Sequence, residues 1–265
     1  MTRLLALLIT LLIAGCSSLA PEPQDGPGRV IDDPGAIPDA IPRDAPQSRY
    51  GNPDQYEVFG RTYRVMDSAA GHRERGIASW YGRKFQGRRT SSGEPYDMYA
   101  MTAAHKQLPL PTWVEVRHLD NSRSIVVTVT DRGPFARNRI IDLSYAAAAK
   151  LGMLGSGTAP VEIRTVTPDT APPADDAPPI IAEDGYWIQL AAFSRTGNAE
   201  RLAARVEAAG LSAPAQVQTG RDGLHRVRVG PLPDAAGVDR LSAELEAARL
   251  PTGHVIIPTE IANKD

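Results

Sequence analysis

Three side chains of types suited to moving a proton fall in segments with little regular period. Glu94 and His105 stand eleven residues apart in TSSGEPYDMYAMTAAHKQLP, and Asp131 follows in TDRGPF. A carboxyl or imidazole held against a reacting bond acts as general acid or base, best when its pKa is moved toward the working pH. Each also has a purely local reading. Ser91 and Glu94 fit the S-x-x-E capping box, although Pro95 leads into no helical pattern. A lone His105 reads equally as a core or turn histidine. Asp131-Arg132-Gly133-Pro134 is good turn chemistry at a strand end. The residues alone leave these alternatives open.

Around them, Trp80 and Tyr81 in SWYG can line a sugar groove or fill a core, and Arg132 can pair with a carboxylate. Asp142 in RIIDLS reads as structural, bonding the turn before a helix. The sequence has no metal-type His/Cys/Asp spacing, no phosphate-cradling glycine loop and no nucleophile elbow. No metal and no cofactor are expected.

The elements that must hold these residues are mainly β. WVEVRHL and SIVVTVT alternate about the turn Asp120-Asn121-Ser122, PVEIRTV is another strand, and Tyr50 to Met66 alternates about Gly60 like a hairpin. LSYAAAAKLG is a short helix with Ser144 as cap and Gly152 as stop. One short helix among many short strands predicts a small closed barrel. From Gly185 the order becomes β-α-β-β-α-β, the split βαβ arrangement. Its first helix is expected from Asn198, as cap, to Ala209, and its second from Asp234 to Arg249. Both helices on one side of the sheet leave the other face open. Strict alternation puts Trp187, Gln189, Phe193, Arg226 and Arg228 on that open face. Aromatics stack on sugars, the amide reads hydroxyl and acetamido groups, and arginines pair with carboxylates.

The charge is segregated: residues 72–166 hold fourteen Lys/Arg against eight Asp/Glu, in a chain of net charge −2. No dense basic cluster with stacking aromatics occurs, so nucleic acid is not an expected partner. An anionic cell-wall glycan suits the bias. At the start, Arg3 and the apolar Leu4 to Ile13 are far shorter than the ~20 residues of a membrane span and read as a signal peptide. LLIAGC resembles a lipoprotein signal, which implies acylation at Cys16; the serine after it implies sorting to the outer membrane. The expected organisation is a signal peptide (1–15), a disordered Pro/Gly/Asp/Ala-rich tether (16–49), a barrel (50–166), a Pro- and Asp-rich linker (167–184) and a second domain (185–260).

Two stretches resemble known families. YWIQLAAF with its helix and HRVRVGP resembles the SPOR domain, which implies binding to septal glycan strands stripped of peptide stems. GIASWYGRKFQGRRTSSGEPYDMYAMTAAHKQLP through DRGPF and RIIDLSYAAAAKLGM, residues 76–153, resembles the RlpA (rare lipoprotein A) family. That resemblance implies a six-stranded double-psi β-barrel joined by a disordered linker to the βαββαβ SPOR domain, and lytic transglycosylase activity on denuded peptidoglycan at the division septum. It marks Glu94, His105 and Asp131, in SGE, TAAH and DRGPF, as functional. Asp131 is the first choice for acid/base. Glu94 would be a second acid or a transition-state stabiliser, and His105 would orient a carboxylate or bind sugar. An expansin-like wall protein that binds glycan without cleaving it is the alternative, and division-septum proteins are further possible partners.

Overall fold

The computed structural model describes residues 25–170 and 185–257. The N-terminal apolar run, Cys16 and most of the acidic linker lie outside the described residues, and no helix among the described residues is long and apolar enough to cross a membrane.

Six strands close the barrel: β3 (Arg73–Tyr81), β4 (Thr102–His105), β5 (Thr112–His118), β6 (Ser124–Asp131), β7 (Arg139–Ser144) and β8 (Ala159–Thr165), following the hairpin β1 (Gln55–Val58) and β2 (Arg61–Arg64). Around the barrel the order is β3-β7-β4-β6-β5-β8. β3 pairs with β7 and β4 with β6 in parallel, and the other pairs are antiparallel. This is the double-psi barrel. Alternation fills it: Val114, Val116, Ile125, Val127 and Val129 turn inward against Ile141, Leu143 and Ile163. Truncating any of these to alanine opens a cavity worth about 2–5 kcal/mol. Helix α1 (Tyr145–Leu151) lies against the barrel, its Ala147 N–H donating to Ser144 Oγ at 3.1 Å, and Gly152 ends it at φ 84°.

Residues 25–49 depart from the expected disordered tether. They lie along the barrel as an extended strap. Ala40 N–H donates to Val126 O (3.0 Å) and Ser48 N–H to Leu110 O (2.7 Å), while Lys150 Nζ donates to Ile37 O and Asp39 Oδ1. Ile37 and Ala40 pack on the barrel core and Ile31 on a cluster of tyrosines. Composition suggested disorder because the segment has little apolar area of its own. A proline-stiffened chain loses less entropy on docking, and the barrel supplies the backbone partners.

The second unit is a four-stranded sheet, β10 (Ala215–Thr219), β11 (His225–Leu232), β9 (Tyr186–Phe193) and β12 (His254–Ile256), in that order, under α2 (Thr196–Ala208) and α3 (Ala235–Ala247). Asp234 caps α3, accepting from Gly237 N–H at 2.7 Å. α2 starts earlier than expected: Asn198 lies in its first turn, where its Oδ1 accepts from Arg201, and Arg195 stands at the cap without a side-chain bond. The two units touch. Ile77 of β3 is buried in the second unit's core cluster, Arg139 forks onto Asp239, Asn138 Nδ2 donates to Ser242 Oγ, and Tyr186 Oη donates to Asp120 at 3.2 Å.

Candidate functional site

Strand register decides which titratable groups share a surface. Ala104 of β4 is the Cα partner of Asp131 on β6 and of Asp142 on β7. Partners across a ladder project from the same face, so the two aspartates flank one small alanine, with Cα atoms about 10 Å apart, two inter-strand spacings. An extra residue on β6, Thr130, shifts the register here and sets Asp131 outward. Asp131 Oδ1 accepts from Ser91 N–H (2.8 Å), Ser91 Oγ–H (2.6 Å) and Arg132 N–H (2.8 Å), leaving Oδ2 for a ligand. Asp142 is reached by the Ser79 hydroxyl. Burial pushes the Asp142 carboxyl above the usual carboxylate range, against the pull of Ser79 and of the Arg139 and Lys106 charges.

Ser91 N–H is thus committed to Asp131 and no helix follows Glu94, so the capping-box alternative does not form. Instead Thr90 N–H donates to Glu94 O, and Ser92 N–H to Thr130 O, tying the turn to the end of β6. The Glu94 side chain is exposed and lines a cleft of about 730 Å³ with Trp113, Thr130 and Arg43 of the strap.

His105 goes elsewhere. It follows Ala104, pairs with Ile141 of the interior, and is 2% exposed. Its Nδ1 accepts from the amides of Gln107 (3.1 Å) and Leu108 (3.0 Å), and its Nε2 lies 3.4 Å from Glu74 Oε2. His72 Nε2 is also 3.4 Å from that oxygen. Burial lowers the His105 pKa despite Glu74. Burial raises that of Glu74, but the bond and charge of His105, with His72 and Lys106, bring it net below the ordinary value. His72, Glu74 and His105 offer ligand atoms within 4.8 Å of one another, the one such group among the described residues. The His105 tautomer does not suit a metal. With Nδ1 occupied as an acceptor, a neutral ring carries its hydrogen on Nε2, and that hydrogen removes the lone pair an ion needs. Glu74 bonds His105, with His72 beside it and the His72 Nε2 without a hydrogen-bond partner, and the structure does not bring His105 to the aspartates.

Two further expectations change, those for Tyr81 and Arg132. Tyr81 is 8% exposed and stacked on Tyr96 at 4.2 Å, so it is wall rather than sugar platform. Burial, Tyr96, and the Asp131 and Asp142 charges raise its hydroxyl pKa. Trp80 is half-buried, packed 5.8 Å from Tyr145. Arg132 is not available for a substrate carboxylate: it donates to Gly51 O (2.8 Å), His105 O (3.2 Å), Leu108 O (2.5 Å) and Asn52 Oδ1 (3.0 Å). A guanidinium with carbonyls on all three nitrogens is a staple. Beside Trp80, the strap's Asp25 carboxylate accepts from the Gly82 and Lys84 amides, and Arg29 N–H donates to Tyr99 Oη.

On the second sheet, Gln189 pairs with Arg228, which pairs with Gln216, and Trp187 with Ile256, placing these on one face. Arg228 donates to Gln189 (3.2 Å) and Gln218 (2.7 Å), and Arg226 is ion-paired with Asp222. Phe193 leaves that face. A bulge at Leu190 pairs Ala191 with the buried Val227, which flips the alternation, so Phe193 packs on the core and Ala192 turns out. The sequence reading gave Asp142 a structural role and did not place it beside Ala104. Its signal was available only through the register that sets it beside Ala104.

Comparison with known proteins assigns both units to families. Residues 73–163 match the family model described as lytic transglycolase, and residues 182–256 match the SPOR domain. The chain is 42% identical over 248 residues, 92% of each protein, to the endolytic peptidoglycan transglycosylase RlpA of Vibrio cholerae serotype O1. It is 35% identical over 317 residues, again 92% of each, to the protein of the same name from Pseudomonas aeruginosa. The solved RlpA SPOR domain of Pseudomonas aeruginosa is 31% identical, covers 28% of this chain and all of that one, and superposes with a TM-score of 0.26.

Proposed function

Because this chain belongs to the RlpA family of endolytic peptidoglycan transglycosylases, we propose that its barrel cleaves the glycan strand with Asp142 and Asp131 dividing the proton work. The observation that carries this reading is the outward face on which both aspartates flank Ala104. Asp142, held toward its protonated form by burial, gives its proton to the glycosidic oxygen as the C1–O bond breaks. Asp131, with Oδ1 anchored and Oδ2 free, stabilises the oxocarbenium-like charge on C1. The muramic 6-hydroxyl oxygen then closes on C1 and its proton passes to Asp131. No water is consumed, and the product is a 1,6-anhydro sugar. Glu94 contacts the strand in the neighbouring cleft, and His105 holds the end of β4 in place.

The second domain holds the strand through Trp187, Gln189, Arg226 and Arg228. Acylation at Cys16 anchors the protein to the outer membrane, facing the periplasm. Septal strands stripped of peptide stems concentrate there, and the linker raises their effective concentration at the barrel. The test is digestion of amidase-stripped peptidoglycan, read by mass spectrometry for 1,6-anhydromuramic ends. Asp131→Asn and Asp142→Asn should each lower the rate about 10²–10⁴-fold. Full activity in either variant removes that residue from the mechanism, and folded wild type that binds without releasing such ends reduces the barrel to a glycan binder.

A further inference from the structure

Between the barrel and the second domain lies a cleft of about 580 Å³, walled on one side by Thr252 to Val255 and on the other by β2, Lys106 and Phe135. Its charge is uneven. Arg75 is paired with Glu162, Arg137 with Glu246 and Arg139 with Asp239. Arg61 and Arg64 are exposed and have no carboxylate at ion-pair distance among the described residues. The Lys106 ammonium meets a carbonyl, that of Arg139. Glu74 is the one carboxylate on the lining, and two imidazoles already converge on it. Three cations, Arg61, Arg64 and Lys106, therefore share this space with a single carboxylate, Glu74, which acts on Lys106 and leaves the two arginines in excess. Its floor is aromatic, Tyr63 and Phe135 at 5.6 Å, with Tyr56 stacked on Tyr63 at 5.4 Å. Cations beside aromatic faces suit a carboxylated sugar better than a bare anion.

We infer that this cleft is a second glycan site that reads the free lactyl carboxylates of the strand, with Arg61 and Arg64 as the specificity-determining residues. The inference rests on the reading of peptidoglycan as substrate. Its chemistry is selective. In a stem-bearing strand each lactyl carboxyl is consumed in an amide and is neutral at that position, while a stripped strand shows an ionised carboxylate on every muramic residue. The cleft would thus distinguish stripped from stem-bearing strands at a point remote from the aspartates, and lead the strand from the second domain toward the barrel.

The experiment uses the full chain and its Arg61→Glu/Arg64→Glu double variant, both carrying Asp131→Asn so that strands stay intact. Cosedimentation with amidase-stripped sacculi is compared with sacculi whose carboxylates have been amidated by carbodiimide and ammonia. The double variant should bind stripped sacculi roughly three- to tenfold more weakly, with a flatter salt dependence. Amidation should weaken both proteins, since Arg226 and Arg228 of the second domain also lose carboxylate partners, and should erase the difference between parent and variant. In the active background the effect should fall on KM rather than kcat. Equal binding of parent and variant to stripped sacculi, or a parent indifferent to amidation, overturns the inference. Because binding is read on an inactivated background, a chain that never cleaves glycan defeats the catalytic reading and leaves this test intact.

Discussion

Ala104 and His105 are consecutive residues of β4 that open onto two different environments. On the outward side of Ala104 stand Asp131 and Asp142, one carboxylate with an oxygen to spare and one desolvated carboxyl. On the inward side His105 closes the barrel's end with Glu74 and His72. Each region contains a carboxyl whose pKa is shifted, Asp142 upward and Glu74 downward. They differ in how their hydrogen-bonding capacity is used. His105 has committed Nδ1 to two amides and Nε2 to a carboxylate, so its ring has nothing left for substrate. Residue type marks a candidate; unfilled valence beside solvent is what makes it usable.

The largest effect that separates the two regions is on folding. His105→Ala strands two buried amides and leaves a cavity, a loss of about 2–4 kcal/mol. His105→Asn, whose side-chain oxygen reaches the Nδ1 position, should restore most of it. Chemical denaturation measures both, and activity should follow the folded fraction. A His105→Ala protein as stable as wild type yet inactive would break the comparison and return His105 to the chemistry.

A smaller effect is the pH dependence. His105 titrates below its ordinary 6.5 in the fold, so the unfolded chain binds more protons in the window beneath 6.5. Stability there falls as pH falls, by at most about 1.4 kcal/mol per pH unit for this one proton. Glu74, lowered from 4.5, adds a further loss as pH drops through its folded value. Asp142 has the opposite sign: raised from 3.8, it makes the fold less stable as pH climbs from 3.8 through its raised value. Melting temperature against pH for wild type, His105→Asn and Asp142→Asn separates these slopes. His105→Asn should flatten the loss beneath 6.5, and Asp142→Asn should remove the opposing slope. An unchanged profile in His105→Asn would mean that the ring is not buried neutral.

Much of the fold was legible because its signals are local. Alternation in WVEVRHL and SIVVTVT, the Ser144 cap and the Gly152 stop all act within a few residues. What was not legible depends on register. A single extra residue, Thr130 in one sheet and Leu190 in the other, resets which side chains face out, bringing Asp131 level with Asp142 and taking Phe193 off the open face. Arg132 looked like a ligand-binding arginine because its partners, Gly51, Asn52, His105 and Leu108, are brought in by distant chain. Glu94, His105 and Asp131 all lie in the barrel unit, but sequence proximity and motif membership carry no information about which face of a strand each takes.

The strap supplies the smallest and sharpest test, because it touches both regions. Near residue 25 it lies beside the outward face, and near Ser48 and Asn52 it joins the segment that Arg132 staples behind the plug. Midway, Lys150 holds it through Asp39 and the Ile37 carbonyl. That ion pair is partly exposed, with side-chain accessibilities of 17% and 38%, so solvent screens it and its worth is about 0.5–1 kcal/mol. Lys150→Ala should therefore lower the melting temperature by only about 2–4 °C, leave the pH slope beneath 6.5 in place, and speed tryptic cleavage at Arg29 and Arg43. If it costs as much as His105→Ala, the strap is part of the barrel's folding unit, and the division between an open outward face and a closed inward plug must include it as a third structural member.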